Sequence, residues 1–319
     1  MIAPAAPAPR LSIVAPCYNE AAALPEFYRQ VTATARAEVG DDYEVVLVND
    51  GSRDGTLALL HRIASADRRV VVVNLSRNWG HQRALSAGLQ LCRGGRVLII
   101  DADLQDPPGL LPAMMRAMDA GADVVFGKRR SRSGESAFKR GSAALFYRLL
   151  QRLTEVPIPT DTGDFRLMSR RALDVLNAMP EQARFIRGLV SWIGLRQVPL
   201  EYDRAPRLGG RSGYSLGRML GFAFDAITSF SVVPLRIASF VGLATSLVSL
   251  LMIGYTLAAW VLGRTIVGWT SLAAIVLTIG GVQLMVLGIL GEYVGRIYIE
   301  SKRRPLYVVS DIFRADATE

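Results

Sequence analysis

The 319-residue chain has two cysteines, Cys17 and Cys92, and two histidines, His61 and His81. Two cysteines, both in the charged N-terminal part, give no sign of a disulfide framework. Two histidines are too few for a histidine-based metal centre. Two glycine-rich phosphate signatures are missing as well: there is no P-loop lysine pattern, and no Gly-x-Gly-x-x-Gly turn follows the first apolar strand. These gaps argue against phosphoryl transfer by a P-loop and against a dinucleotide cofactor. The longest absence is of charge. Residues 237–262 and 270–291 contain no Asp, Glu, Lys or Arg. Each run is longer than the roughly 20 apolar residues that cross a bilayer, and both are predicted to be spans. Their frequent Gly, Ala and Ser permit close helix packing.

The basic residues orient these spans. Arg204, Arg207, Arg211, Arg218 and Arg236 precede the first, and Arg296, Lys302, Arg303 and Arg304 follow the second; the connection 263–269 carries only Arg264. The positive-inside rule then puts both termini in the cytoplasm, with a short external turn. A net charge of +9 suits a membrane surface, where each such residue contributes about 1 kcal/mol against anionic lipid. No nucleic-acid partner is expected. Residues 1–10, rich in Ala and Pro, lack the apolar core of a signal peptide and read as a disordered lead-in.

The most informative stretch is 97–108, Val-Leu-Ile-Ile-Asp-Ala-Asp-Leu-Gln-Asp-Pro-Pro. A β-branched apolar run, read as a buried parallel strand, ends in three carboxylates and a double proline. Open α/β sheets place their ligands at such carboxyl ends. Asp101 and Asp103 are two residues apart and point the same way if the chain is still extended. Such a pair suits Mg²⁺, which takes one or two carboxylates plus substrate phosphates; it equally suits a solvated strand-to-turn junction.

Strands are predicted at 11–15, 43–48, 70–75, 97–100 and 123–127. Helices are predicted to about 38 from the Asn19-Glu20 pair, over 56–66 and 80–92, and from 108 to about 120. This alternation implies a mostly parallel sheet with right-handed crossovers, an α/β class. Asp50 ends the second strand as Asp101 ends the fourth; if they converge, a nucleoside-diphosphate cleft follows. The run 128–132, Lys-Arg-Arg-Ser-Arg, reads as a solvated loop or as a phosphate clamp. Residues 136–153 are amphipathic and read as packing. Residues 215–234 read as amphipathic helices in the membrane interface or as plain packing between domain and spans. His81 reads first as a cap or packing residue and Trp79 as packing. Arg184, Arg187 and Trp192 are candidates for the acceptor side. Tyr202 and 204–214 read as a mobile loop over the donor or as a flexible linker.

Five motifs, in order, carry a resemblance: 14–20 (Val-Ala-Pro-Cys-Tyr-Asn-Glu), 48–56 (Val-Asn-Asp-Gly-Ser-Arg-Asp-Gly-Thr), 76–82 (Ser-Arg-Asn-Trp-Gly-His-Gln), 101–108, and 162–170 (Thr-Gly-Asp-Phe-Arg-Leu-Met-Ser-Arg). Followed by two spans, they resemble the family 2 glycosyltransferases of the GT-A fold, and more closely the polyprenyl-phosphate glycosyltransferases, the dolichyl-phosphate mannose synthase and bactoprenol glucosyltransferase group. The resemblance covers about 11–305. It implies a GT-A domain over 11–214, interfacial helices over 215–234, a two-span hairpin over 235–298 and a cytoplasmic tail over 299–319.

It also implies roles. Pro16, Tyr18 and Glu20 would line the base and ribose, and Asp50 would accept a hydrogen bond from the base. Asp101, Asp103 and Gln105 would hold Mg²⁺ or Mn²⁺ against the donor diphosphate. Asp164 stands at the position of the family's proposed base. Arg129, with Lys139 or Arg140, would receive the acceptor phosphate, and Arg211 would bind substrate. The acceptor's phosphate oxygen is already anionic near neutral pH, so a strong base is not required, and Asp164 would orient the acceptor or shape the field instead. The expected reaction is transfer of one sugar, by single displacement with inversion, from UDP-glucose to undecaprenyl phosphate on the cytoplasmic face of a bacterial inner membrane. The resemblance implies a homo-tetramer. A processive polysaccharide synthase is the first alternative, although its Gln-x-x-Arg-Trp pattern is absent. A non-catalytic scaffold of a sugar-lipid flipping complex is the second.

Overall fold

A computed structural model describes residues 7–130, 162–203, 231–263 and 268–315. They fall into two units, the α/β residues up to 203 together with 305–315, and the helical residues 231–304.

The first unit is built on an eight-stranded sheet of order β7-β5-β6-β4-β1-β2-β3-β8. The strands are β1 Leu11–Cys17, β2 Tyr43–Asn49, β3 Val70–Leu75, β4 Arg96–Ile99, β5 Val124–Arg129, β6 Thr162–Ser169, β7 Gln197–Tyr202 and β8 Val309–Phe313. β1 to β4 are mutually parallel, β6 runs antiparallel between β4 and β5, and β8 is antiparallel to β3. Every residue of β1 and β2 is buried, as expected of strands covered on both faces. Helices α1 (Leu24–Val39), α2 (Thr56–Ala66) and α4 (Leu111–Asp119) share one core with Leu11, Ile13, Ala15, Leu47, Leu98 and Ile100. Helix α3 (His81–Leu91) lies on the opposite face, where a Cβ on Gly88 would stand 2.4 Å from Val14. Helices α5 (Arg170–Ala178) and α6 (Ile186–Ile193) complete this unit among the described residues.

Tyr202 ends β7 and is buried rather than belonging to a mobile loop, and three further sequence expectations differ from the structure. Helix α1 starts at Leu24, with a proline in its first turn, rather than at Asn19-Glu20. Asn19 instead adopts φ 56°, and its carboxamide accepts from Arg53 N at 2.8 Å. Glu20 N donates to Thr56 Oγ1 at 2.9 Å, so the turns after β1 and β2 are fastened to each other. The second difference is β8: residues 309–313, from the stretch expected to be a tail, form the edge strand beside β3. The third is at β4, which ends at Ile99 before Asp101 is reached.

The sheet opens where the ligand site is expected. β1 pairs with β4 only up to Val14 and Ile99, and the last bond runs from Ile100 N to Val14 O at 3.2 Å. The next rung would be donated by residue 16, a proline with no N–H. The ladder stops there, while β1 stays paired with β2 to Cys17. β2 lies on one side of β1 and β4 on the other, which makes this gap the topological switch point of the sheet.

In the second unit, α7 (Val233–Val261) and α8 (Trp269–Ser301) contain apolar stretches, Val233–Ala259 and Ala274–Ser301, with mean hydropathy 2.1 and 2.2. Both are long enough to cross a bilayer. Their large side chains, Leu243, Leu251, Leu277 and Leu284 among them, are exposed, on a far larger scale than a soluble monomer tolerates.

Candidate active site

Four segments meet at the carboxyl ends of the parallel strands. The first is the turn after β2. Asp50 is buried, and its two oxygens accept from the backbone of Trp79 at 2.7 Å and Gly80 at 3.0 Å. Burial pushes its carboxyl up, and these two bonds oppose the push. The carboxylate assigned by resemblance to the nucleotide base thus also pins the β3–α3 loop; each oxygen keeps a second lone pair for a ligand. Gly51 makes the crossing possible. Its φ is +63°, and a Cβ there would stand 2.4 Å from Asn78 N and 2.5 Å from Arg77 C. Both obstacles are backbone. Gly51→Ala is therefore expected to cost at least about 2 kcal/mol and to weaken nucleotide binding, read by thermal melting and by titration with the nucleoside diphosphate.

The second segment is the turn after β4. The Asp103 carboxylate accepts from Gln105 N at 3.1 Å, and Leu104 has φ 61°, a rare conformation for a residue with a branched side chain. Asp101 and Asp103 are therefore not aligned by strand pleat, as an extended chain would have them; they lie in the turn beyond the strand end. Burial is the main cause of a rise in the Asp101 carboxyl, which reaches about 6 against the pull of His81 and with further pushes from Asp164 and Asp106. The Asp103 charge adds a small upward push. Asp101 Oδ1 is buried without a hydrogen bond.

The third segment is the start of β6, which runs antiparallel to β4 and so delivers Asp164 to the same end. Asp164 Oδ2 accepts from Gln82 Nε2 at 2.7 Å and lies 3.2 Å from His81 Nε2. Its Oδ1 lies 3.4 Å from Arg187 Nε and 3.9 Å from buried Arg166. Burial pushes Asp164 up, but His81, Arg187 and Arg166 together hold it well below the usual carboxylate range. Such a group is a poor proton acceptor at neutral pH.

The fourth segment is the N-terminus of α3. Burial pulls His81 down, but Asp164 and Asp101, the latter 3.5 Å away, raise its value to about 9. His81 is thus part of the site and not a simple cap. The signal that could have found it is the Gly-His-Gln sequence opening α3: His81 and Gln82 both reach Asp164. Gln82 also accepts from Ile186 N at 3.0 Å, tying α3 to the start of α6.

The remaining sequence candidates divide. Pro16 is buried, Glu20 is half-buried and Tyr18 is 44% exposed at the rim. Gln105 is buried in the β4 turn. Arg129 ends β5 and donates to the Tyr202 hydroxyl at 3.4 Å. Arg184 serves the fold, donating to the carbonyls of Met179 and Leu176. Trp79 carries the Arg77 guanidinium over its ring at 3.8 Å. Lys139, Arg140 and Arg211, with the segments 136–153, 204–214 and 215–230, lie outside the described residues.

A divalent ion fits the residues present. Asp101 and Asp103 lie two residues apart in the turn after β4, and Asp101 Oδ1 is buried without a hydrogen bond, 3.5 Å from His81 Nε2. Among the described residues no three His, Cys, Asp or Glu side chains form a complete metal site by themselves. A carboxylate pair completed by substrate phosphates is the donor set that Mg²⁺ and Mn²⁺ accept.

Residues 12–176 match Glycosyl transferase family 2. The chain belongs to this family. Residues 233–297 match the GtrB C-terminal hairpin, so the two apolar helices also have a family counterpart. Among curated relatives of this glycosyltransferase, the uncharacterized glycosyltransferase YkcC of Bacillus subtilis is 44% identical over 93% of the chain and 92% of its own length. The bactoprenol glucosyl transferase of Shigella phage SfV is 40% identical over 95% and 98%. Among solved structures, the mannosyltransferase PcManGT from Pyrobaculum calidifontis, in complex with GDP-Man and Mn²⁺, aligns over 91% of this chain and 88% of its own, with 17% identity and a TM-score of 0.48. The family match and the bactoprenol relatives support a membrane-associated glycosyltransferase that acts on a lipid carrier.

Proposed function

We propose that the protein transfers a single glucose from UDP-glucose to undecaprenyl phosphate, with inversion, on the cytoplasmic face of the bacterial inner membrane. The observation that carries this reading is the convergence of Asp101 with His81 and Asp164 at the switch point, in a chain that resembles bactoprenol glucosyl transferases along almost its whole length. Asp101 and Asp103, with Gln105 in the same turn, would hold Mg²⁺ or Mn²⁺. Bound there, the ion acts as a Lewis acid for the departing nucleoside diphosphate. Asp50 and the Tyr18–Glu20 turn orient the base and ribose. Arg129 draws in the acceptor phosphate, whose oxygen is the nucleophile and needs no base. Asp164 stays ionised, anchors His81 and Arg187, and sets the field around the sugar. Holding both substrates in line supplies several kcal/mol of the barrier reduction.

The topology supports a two-span hairpin with both ends on one side. Residues before α7 and after α8 belong to the same sheet, through β8, and that requires an even number of crossings. The basic residues on the outer flanks of both spans favour the cytoplasm.

The test is radiolabelled transfer in detergent with Mg²⁺, from a panel of UDP- and GDP-sugars to undecaprenyl phosphate. UDP-glucose is expected to give one organic-extractable product of inverted anomeric configuration, and EDTA is expected to abolish it. Transfer from another donor alone would overturn the sugar assignment. Polymer in place of lipid-linked monosaccharide would overturn the reaction class.

A further inference from the structure

Tyr202 belongs to none of the five motifs, yet its hydroxyl stands between two parts of the site. It is the last residue of β7 and the cross-strand partner of Arg129 on β5. Its ring is buried and packs edge-on against Phe165 at 5.7 Å. Gly127 makes room for it, since a Cβ there would stand 2.7 Å from the ring.

The hydroxyl makes two bonds of fixed direction. It donates its one proton to Asp106 Oδ1, and it accepts from Arg129 Nε at 3.4 Å; arginine has no acceptor, so the order cannot reverse. Asp106 is buried three residues past Asp103, in the turn that carries the carboxylate pair. On its other side the Arg129 guanidinium rests on bare backbone: a Cβ on Gly163 would stand 2.9 Å from Nη2, one residue before Asp164. The Nε bond therefore fixes the rotation of the guanidinium fork without using its terminal nitrogens.

We propose that Tyr202 is a positioning residue: its hydroxyl aims the Arg129 fork at the acceptor phosphate and ties that aim to the Asp103–Asp106 turn on the donor side. The proposal rests on the reading of Arg129 as the acceptor-phosphate cation. A guanidinium free to swing still supplies charge, but it loses the bidentate geometry that phosphate oxygens reward. The effect belongs in acceptor binding and leaves donor binding nearly untouched.

The experiment is steady-state kinetics of the full chain in detergent, varying undecaprenyl phosphate at saturating donor and then the reverse. Tyr202→Phe keeps the ring and removes both bonds. The acceptor KM is expected to rise about tenfold, the scale of one bond to a charged group, with the donor KM within about twofold. Arg129→Lys should raise the acceptor KM as well, and the double variant should add little, because one effect runs through the other. An unchanged acceptor KM in Tyr202→Phe, or both KM values rising together, would overturn the proposal while Arg129→Lys still reports on the arginine. An unchanged acceptor KM in Arg129→Lys would sink the reading of Arg129 and this proposal with it. If Tyr202→Phe does not fold, Asp106→Asn and Asp106→Ala take its place. Asparagine still accepts from the hydroxyl and should keep the acceptor KM nearer wild type than alanine does; an asparagine no better than alanine would overturn the proposal.

Discussion

Replacing Asp101 with asparagine is expected to abolish sugar transfer and, in the same protein, to raise the melting temperature of the metal-free form. Asp101 is half-buried in the field of Asp164, Asp106 and Asp103, and its buried Oδ1 has no hydrogen bond. Its carboxyl is raised from 3.8 to about 6, chiefly by burial, so ionising it opposes folding. Stability from the neutral form is full below about pH 4 and is lost as pH rises through 6. Asparagine carries no such charge. The gain should be absent at pH 4, present at pH 7.5, and on the order of a few degrees. Turnover should fall about 10³-fold or more, because a Lewis acid supplies several kcal/mol of charge stabilisation. Mn²⁺ should raise the melting temperature of wild type well above that of the variant. Melting in EDTA at the two pH values, with and without Mn²⁺, checks all of this. A variant that transfers sugar, or that melts no higher than wild type at pH 7.5, would show that the acidic turn is not held in reserve for a cation.

Asp164→Asn should do the opposite to the fold. Asp164 is the buried anion that faces His81, Arg187 and buried Arg166. Neutralising it leaves Arg166 without its opposing charge in the interior. Breaking a buried pair from one side costs about 3–5 kcal/mol. The variant should melt well below wild type at pH 7 and lose transfer with it. The pH dependence separates an anchor from a base. Asp164 is depressed, so its contribution is present above the ordinary carboxylate value and is lost only in acid. His81 is raised from 6.5 to about 9, so its contribution is full below 6.5 and is lost as pH rises through 9. Wild type should therefore lose stability between pH 7 and 9.5 by more than Asp164→Asn does. A variant that melts like wild type but has lost the acidic limb of its rate profile would make Asp164 a true base instead.

Much of the fold was legible because it rests on local pattern. The four apolar runs that became β1 to β4 are buried on both faces and punctuated by helices of the usual length, and α2 and β3 lie at the predicted residues. The uncharged runs announced α7 and α8, because a bilayer-crossing helix has nowhere to put a charge. The acidic ends of β2 and β4 marked one edge of the sheet, since strand direction alone sends them there.

Tertiary contacts decided the rest. β8 is five residues at a sheet edge, recognisable only once β3 offers it a partner. β6 read as a motif, and its antiparallel pairing with β4 is what carries Asp164 to the carboxylate pair. Asp101 and Asp103 were expected to share a direction through strand pleat; the strand ends before them, and both lie in the turn that follows. His81 looked like a packing residue because nothing in sequence places it beside Asp164, 83 positions away. The sequence by itself determined the layers of the sheet, its two apolar helices and the edge where chemistry would sit, because burial and strand direction are written in local periodicity. The tertiary structure alone decided which charges face each other, because a carboxylate becomes an anchor or a ligand only through the distant groups that surround it.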